Sequence, residues 1–161
     1  MRGAYHPAAD LDGLLEKAAE LSAKTLVFDV EPLVAYWDNG QDALDRGVAE
    51  ILAKAAAVPG VAVVCFSTNS LRRPTTVPTL PGIRVVYLAS ARKPLWIAPY
   101  ADFPRPGVVI GDQVATDGLL ARRIGYTFLH YWPPGFHLPW GPRLLHYGGR
   151  AVRPLVFGGK D

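Results

Sequence analysis

Five mainly apolar runs recur along the chain, with patterns of helical spacing between most of them, and this alternation limits the fold more than any other feature. The runs cover residues 25–30, 61–67, 84–88, 107–112 and 126–132. Continuous apolar strands are typical of parallel sheets that are covered on both faces. Because crossovers between parallel strands are right-handed, the sequence predicts an α/β fold with a doubly wound, five-stranded parallel sheet.

The segments between these runs predict four helices. They are expected at residues 10–22, 41–58, 96–103 and 114–124. Asp10 can cap the first helix, Pro59-Gly60 ends the second, and Gly125 closes the last. The chain has 161 residues, half of them apolar, which is enough for one domain with a sizeable core.

Composition argues against several classes of protein. Cys65 is the only cysteine, so no intramolecular disulfide can form, and its place in an apolar run predicts a small buried side chain. The net charge of +3 comes from cations spread along the chain, which indicates a solvated surface and makes a nucleic-acid partner unlikely. The four histidines lack metal-ligand spacing and are expected to be satisfied or exposed.

The sequence predicts neither a signal peptide nor a membrane span. Residues 1–10 lack an apolar core, and the apolar stretch 49–66 is interrupted by Lys54, Pro59 and Gly60. We therefore expect a cytoplasmic protein.

The last part of the chain differs from the rest. Residues 1–132 are assigned to one domain, and residues 133–161 to a C-terminal extension rich in proline and aromatic residues. Two interpretations stay open: the extension packs over the sheet edge, or its aromatic side chains make a peripheral membrane contact, since Trp and Tyr favour headgroup depth.

Polar side chains stand where three of the predicted strands end. Asp29, Ser67 and Asp112 lie at the ends of the runs 25–30, 61–67 and 107–112. Ligands of parallel α/β sheets bind beyond the carboxyl ends of the strands, so we expect these side chains at one site. Acids at neighbouring strand ends repel one another, and a bound divalent cation relieves that repulsion. The pattern therefore indicates a metal-dependent phosphate chemistry.

Four motifs in this order resemble the haloacid dehalogenase (HAD) superfamily, in its subclass IIIA phosphatase branch, which includes relatives of phosphatidylglycerophosphate phosphatase. The motifs are Asp29-Val30-Glu31-Pro32-Leu33, Ser67 after a strand, Lys93 before a proline, and Gly111-Asp112-Gln113-Val114-Ala115-Thr116-Asp117. The resemblance covers about residues 24–131 and implies a HAD-like Rossmann-type fold.

The resemblance also implies a role for each residue. Asp29 attacks phosphorus to give an aspartyl-phosphate, Glu31 acts as acid and base, and Lys93 cancels charge on nucleophile and phosphate. The residues implied to bind the substrate phosphate are Ser67, Thr68, Asn69 and Lys93. Mg²⁺, a hard ion that prefers oxygen, is the implied cofactor. Its implied ligands are Asp29, the Glu31 backbone carbonyl, Asp112 and Asp117, the last of which orients the metal shell or Lys93.

Glu31 departs from the family, which has aspartate at this position. The carboxyl group survives, but one extra methylene moves it by about 1 Å, and such a displacement can cost on the order of 100-fold in rate. Two functions therefore stay open: a phosphomonoester hydrolase, or a HAD-fold binding module that keeps the metal pocket without efficient turnover. No cap domain is expected, so the open site suits a phosphate on something large, such as a phospholipid.

Overall fold

The computed structural model describes residues 4–132, 147–148, 153–154 and 157. They form an α/β structure around one sheet of six parallel strands. The strands are β1 (Tyr5–Ala8), β2 (Thr25–Asp29), β3 (Val63–Ser67), β4 (Arg84–Leu88), β5 (Gly107–Gly111) and β6 (Thr127–Tyr131). Between residues 4 and 132 the α-helices are α1 (Leu11–Glu20), α2 (Gln41–Ala56) and α3 (Leu119–Ile124).

Each of the five predicted runs is a strand of this sheet, which confirms the α/β class and the parallel arrangement. The prediction of five strands is incomplete, because β1 adds a sixth at the edge beside β6. β1 has only four residues and contains Pro7, which cannot donate to a ladder and is tolerated at a sheet edge. So short and partly polar a segment shows no strand pattern in the sequence.

The strand order across the sheet is β1-β6-β5-β2-β3-β4. From β2 the chain moves outward through β3 and β4 on one side, and later through β5 and β6 on the other. Since crossovers are right-handed, the helices of the two halves belong on opposite faces. Accordingly α1 and α2 pack on one face and α3 on the other. The direction in which the chain moves across the sheet reverses between β2 and β5, and these two strands pair directly.

Alternate residues of the central strands supply two cores. On the face of α1 and α2, Phe28 and Phe66 stack with ring centroids 5.9 Å apart. On the opposite face Val27, Cys65 and Phe128 share a cluster with side chains of α3. Cys65 is fully buried, as predicted, and burial raises the pKa of its thiol to about 12.

Two predicted helix caps are confirmed. Asp10 accepts a hydrogen bond from the Gly13 amide at 2.7 Å, and Gly125 takes a left-handed conformation, with φ of 72°, after α3. The helix predicted at 96–103 is wrong in extent, because the chain forms only one 3₁₀ turn there, Ala98–Tyr100. Pro99 lies within this turn, near its start, and Pro104 follows it, which disfavours a longer helix.

None of the helices in the described part of the chain combines the length and the apolar character that crossing a bilayer requires. The predicted extension 133–161, and with it the membrane contact through its aromatic side chains, falls mostly outside the described residues. Phe157, which is described, stacks on Phe128 of β6 with ring centroids 5.8 Å apart.

Gly47 of α2 offers a test of how this helix packs. A Cβ at position 47 would collide with the backbone carbonyl of Val34, in the connection after β2. We predict that Gly47→Ala lowers the free energy of unfolding by about 1–3 kcal/mol, although alanine is the better helix former, because the backbone at Val34 has little room to move.

Urea unfolding followed by circular dichroism measures this change. Glu50→Ala, at an exposed position of the same helix, is the control and should stay within about 0.5 kcal/mol of wild type. A Gly47→Ala variant as stable as wild type would contradict the close contact.

Candidate functional site

Asp29 and Asp112 stand where the order of the strands reverses. Asp29 is the last residue of β2, Asp112 follows the last residue of β5, and these strands are neighbours. Ser67 ends β3 and is the direct pairing partner of Asp29. The three polar residues that the sequence placed at strand ends therefore meet at one edge of the sheet.

Three buried aspartates, Asp29, Asp112 and Asp117, form what we call the acid cluster. One carboxylate oxygen from each lies within 4.8 Å of the others. Asp112 and Asp117 are fully buried, and Asp29 is 7% exposed. The structure thus brings together the three aspartates that the HAD resemblance implied as metal ligands.

A π-helical turn, Val114–Gly118, presents Asp117 to the acid cluster. The backbone carbonyl of Gln113 accepts hydrogen bonds from three backbone amides of this turn, at 2.8–3.3 Å. The backbone amide of Gln113 donates to the Asp117 carboxylate at 3.3 Å. The Asp117 side chain fills the space over Gly111, where any Cβ would collide with it. The glycine of the Gly-Asp motif is therefore required for this close approach.

Lys93 joins two carboxylates of the acid cluster. Its Nζ lies 2.7 Å from Asp29 Oδ1 and 2.7 Å from Asp117 Oδ1, and it donates to the Ser67 carbonyl at 3.2 Å. Burial lowers the pKa of the Lys93 ammonium, but the attraction of Asp117 and Asp29 outweighs burial, so this pKa is raised above its ordinary value. Lys93 is therefore charged at neutral pH.

Asn69 fixes the main chain of Lys93. Its side-chain oxygen accepts from the Lys93 amide at 2.7 Å, and its side-chain nitrogen donates to the Lys93 carbonyl at 3.1 Å. The HAD resemblance implied that Asn69 binds substrate; in the structure its side chain fixes the backbone position of Lys93.

The Ser67 hydroxyl shares a hydrogen bond with the Tyr100 hydroxyl at 2.7 Å. Both side chains are buried, and burial raises the pKa of Tyr100 to about 12, so the phenol is neutral and can donate. Sequence analysis missed Tyr100 because it comes from the 3₁₀ turn before β5, which carries no motif.

Residues after β3 hold the Glu31 carboxylate. Its Oε2 accepts from the Thr68 hydroxyl at 2.5 Å, its Oε1 accepts from the Ser70 hydroxyl at 3.1 Å, and the Arg72 guanidinium lies 3.6 Å from Oε1. Arg72 also donates to two carbonyls of the connection after β2, each at 2.8 Å. Thr68, assigned to substrate binding, is thus a partner of Glu31. Ser70 and Arg72 were missed, and only their position just beyond the second motif hinted at them.

The acid cluster is short of positive charge. When all three carboxylates are ionised they face one ammonium, which leaves two negative charges unbalanced. Burial, and next the repulsion of Asp117, raise the pKa of Asp112 to about 8. The same causes raise the pKa of Asp29 well above its ordinary value, against the attraction of Lys93. A divalent cation would remove the imbalance.

Asp112 is the clearest sign of a cation site. Both of its carboxylate oxygens are buried, and within the described residues neither has a hydrogen-bond partner. An isolated buried carboxylate is costly unless a metal or a donor compensates it. Carboxylate oxygens suit a hard divalent cation, so the residues present fit the class of ion that the sequence implied.

Comparisons with protein-family models, with curated proteins and with solved structures found no match to this chain. The HAD resemblance therefore depends on the four motifs, and what it implies for function is a proposal.

The raised pKa of Asp112 predicts how the stability of the metal-free protein depends on pH. This carboxyl ionises at about pH 4 in the unfolded chain, but at about pH 8 in the folded protein. Between these values the folded state binds more protons, so the free energy of unfolding falls as pH rises and levels off above the folded pKa.

Asp112→Asn, which cannot ionise, should remove part of this decline. We expect the variant to be more stable than wild type at pH 8 by on the order of 2 kcal/mol, with a smaller difference at pH 5. Urea unfolding in EDTA at both pH values measures the effect, and the exposed Asp102→Asn is the control. Equal pH slopes for wild type and Asp112→Asn would contradict the raised pKa.

Proposed function

We propose that the chain is a Mg²⁺-dependent phosphomonoester hydrolase of HAD type, with a Rossmann-like fold and phospho-Asp29 as the intermediate. The observation that carries this proposal is the buried acid cluster, in which Lys93 bridges Asp29 and Asp117 while the Asp112 oxygens lack a partner in the described structure. A nucleophilic carboxylate, a cation site and a fixed ammonium are the parts that such phosphoryl transfer requires.

Asp29 supplies the nucleophile. Its Oδ1 accepts a hydrogen bond from Lys93, while Oδ2 accepts none from the described residues and is available to attack. A bond forms between Oδ2 and phosphorus as the ester P–O bond breaks. Glu31, as general acid, gives a proton to the departing alkoxide. The products are the free alcohol and the aspartyl-phosphate.

Glu31 then acts in the opposite sense. Its carboxylate takes a proton from a water molecule, the water oxygen bonds to phosphorus, and the Asp29–phosphorus bond breaks to release inorganic phosphate. Lys93 and the Ser67 hydroxyl stabilise the negative charge on the phosphoryl oxygens in both steps.

Mg²⁺ would neutralise the anionic phosphate so that a carboxylate can approach it. The residues that would hold the ion are Asp29, Asp112, Asp117 and the Glu31 backbone carbonyl. Since both Asp117 oxygens already accept hydrogen bonds, from Lys93 and from the Gln113 amide, its main part is to orient the lysine.

We propose an open site, without a cap domain, for a phosphate carried on a large molecule such as a phospholipid. The connection from β2 to β3 contains α2, and the one from β3 to β4 is irregular. An open site admits a bulky ester but excludes water poorly. A cytoplasmic location, with peripheral membrane contact through the C-terminal aromatic side chains, belongs to the same proposal.

One observation favours a second candidate, a HAD-fold binding module without efficient turnover. Both oxygens of the Glu31 carboxylate are engaged by Thr68 and Ser70, with Arg72 nearby. In that role Glu31 links the connections after β2 and β3 instead of moving protons.

Phosphate release from p-nitrophenyl phosphate, with Mg²⁺ or with EDTA, tests the hydrolase. We expect Mg²⁺-dependent release by wild type, and a loss of at least about 100-fold in Asp29→Asn, which keeps the shape but not the nucleophile. Asp102→Asn, in an exposed ion pair, is the matched control and should keep full activity. Activity that persists in Asp29→Asn contradicts the mechanism, and Mg²⁺ binding by an inactive wild type favours the module.

Glu31→Asp separates the two candidates further. The shorter side chain withdraws from the Thr68 and Ser70 hydroxyls, so a hydrolase adapted to glutamate should lose at least about 10-fold in kcat while Mg²⁺ affinity changes little. A gain in kcat instead indicates a degenerate site. Steady-state kinetics and calorimetric Mg²⁺ titration measure the two quantities.

A further inference from the structure

His130 of β6 connects the acid cluster with the edge strand β1. Its Nε2 lies 2.9 Å from the Asp112 carbonyl oxygen, and its Nδ1 lies 2.7 Å from the Tyr5 hydroxyl. The residue is 5% exposed. In the pairing of β5 with β6, His130 stands opposite Gly111, the residue just before Asp112.

The partners of the imidazole determine where its proton is. A carbonyl oxygen can only accept a hydrogen bond, so the contact with Asp112 requires a proton on Nε2 of His130. In the neutral ring Nδ1 is then the acceptor, and the Tyr5 hydroxyl, which can donate, faces it. Tyr5 therefore favours the tautomer that donates to Asp112.

We propose that His130 is a positioning residue for the cation site, and that Tyr5 acts through it. Within the described residues the Asp112 carboxylate has no hydrogen-bond partner to orient it. The backbone of Asp112 therefore sets the direction of its carboxylate. The hydrogen bond from His130 holds the backbone carbonyl of this same residue. The role toward the cation rests on the proposed function.

Ring contacts keep the imidazole in place. His130 stacks on Phe128 with ring centroids 5.5 Å apart, and Tyr5 lies 5.6 Å from His130 and 5.9 Å from Phe128. Tyr5 is also covered by Phe157, at 5.5 Å between ring centroids, and by the Arg153 guanidinium at 4.9 Å. Tyr5 is thus packed between β6 on one side and Arg153 and Phe157 on the other.

The proton position is measured directly on the wild-type protein, without a metal. A long-range ¹H–¹⁵N correlation spectrum distinguishes protonated from unprotonated ring nitrogens, and His130→Gln identifies which of the four histidine signals belongs to His130. We expect a proton on Nε2. A neutral ring protonated on Nδ1 alone would overturn the inference, whatever the metal affinity.

Three variants test the link to the cation. His130→Phe keeps an aromatic ring but removes the donor, and it should weaken Mg²⁺ binding about 10–100-fold in calorimetric titration. His130→Gln can donate from nearly the same point as Nε2 and should stay within about threefold of wild type. Tyr5→Phe leaves the His130 donor present, and its loss of Mg²⁺ affinity should lie between those of His130→Phe and His130→Gln.

The outcomes separate this inference from the proposed function. Mg²⁺ affinity in His130→Phe equal to that of folded wild type overturns the inference and leaves the hydrolase intact. If His130→Phe does not fold, the inference is overturned by a His130→Gln variant that binds Mg²⁺ no more tightly than Tyr5→Phe. A wild type that binds no Mg²⁺ contradicts the proposed function and the positioning role together, whereas the proton on Nε2 is still measured independently.

Discussion

The two buried ion pairs of Lys93 are the interaction on which the site depends. Through one ammonium they join the end of β2, the connection after β4 and the turn after β5. Removing one partner of such a buried pair typically costs about 3–5 kcal/mol, because the other charge stays buried alone. Lys93, Asp29 and Asp117 therefore depend on one another for stability. Asp112, without a cation, remains a local cost that a bound ion would offset.

The sheet was predictable because burial leaves a direct trace in the sequence. The central strands need apolar side chains on both faces, so β2, β3 and β5 appear as continuous apolar runs with a polar residue at or just beyond their ends. β1 leaves no such trace, because an edge strand of four residues can carry Pro7 and still pair with β6. β1 is therefore recognised by its pairing with β6 in the structure, not by its own residues.

The acid cluster was also predictable, since strand ends at the reversal of strand order meet in any fold of this kind. What the sequence could not show is which neighbouring side chains hydrogen-bond to one another at the site. Asn69 hydrogen-bonds to Lys93, and Thr68 hydrogen-bonds to Glu31. The partner of Ser67 is Tyr100, which comes from a turn with no sequence pattern of its own. From the sequence alone, the extra methylene of Glu31 predicts only that the carboxyl group is displaced. In the structure this carboxylate accepts hydrogen bonds from the Thr68 and Ser70 hydroxyls.

β6 lies between β5 and β1, so the first strand of the sheet pairs with the last. β1 can pair with β6 only after the residues between Ala8 and Thr127 have been synthesised. Contacts between such distant parts of a chain form late, because a long loop must close before they stabilise anything. Tyr5 and His130 meet only when β1 pairs with β6, so the surroundings of Asp112 depend on closing this long loop.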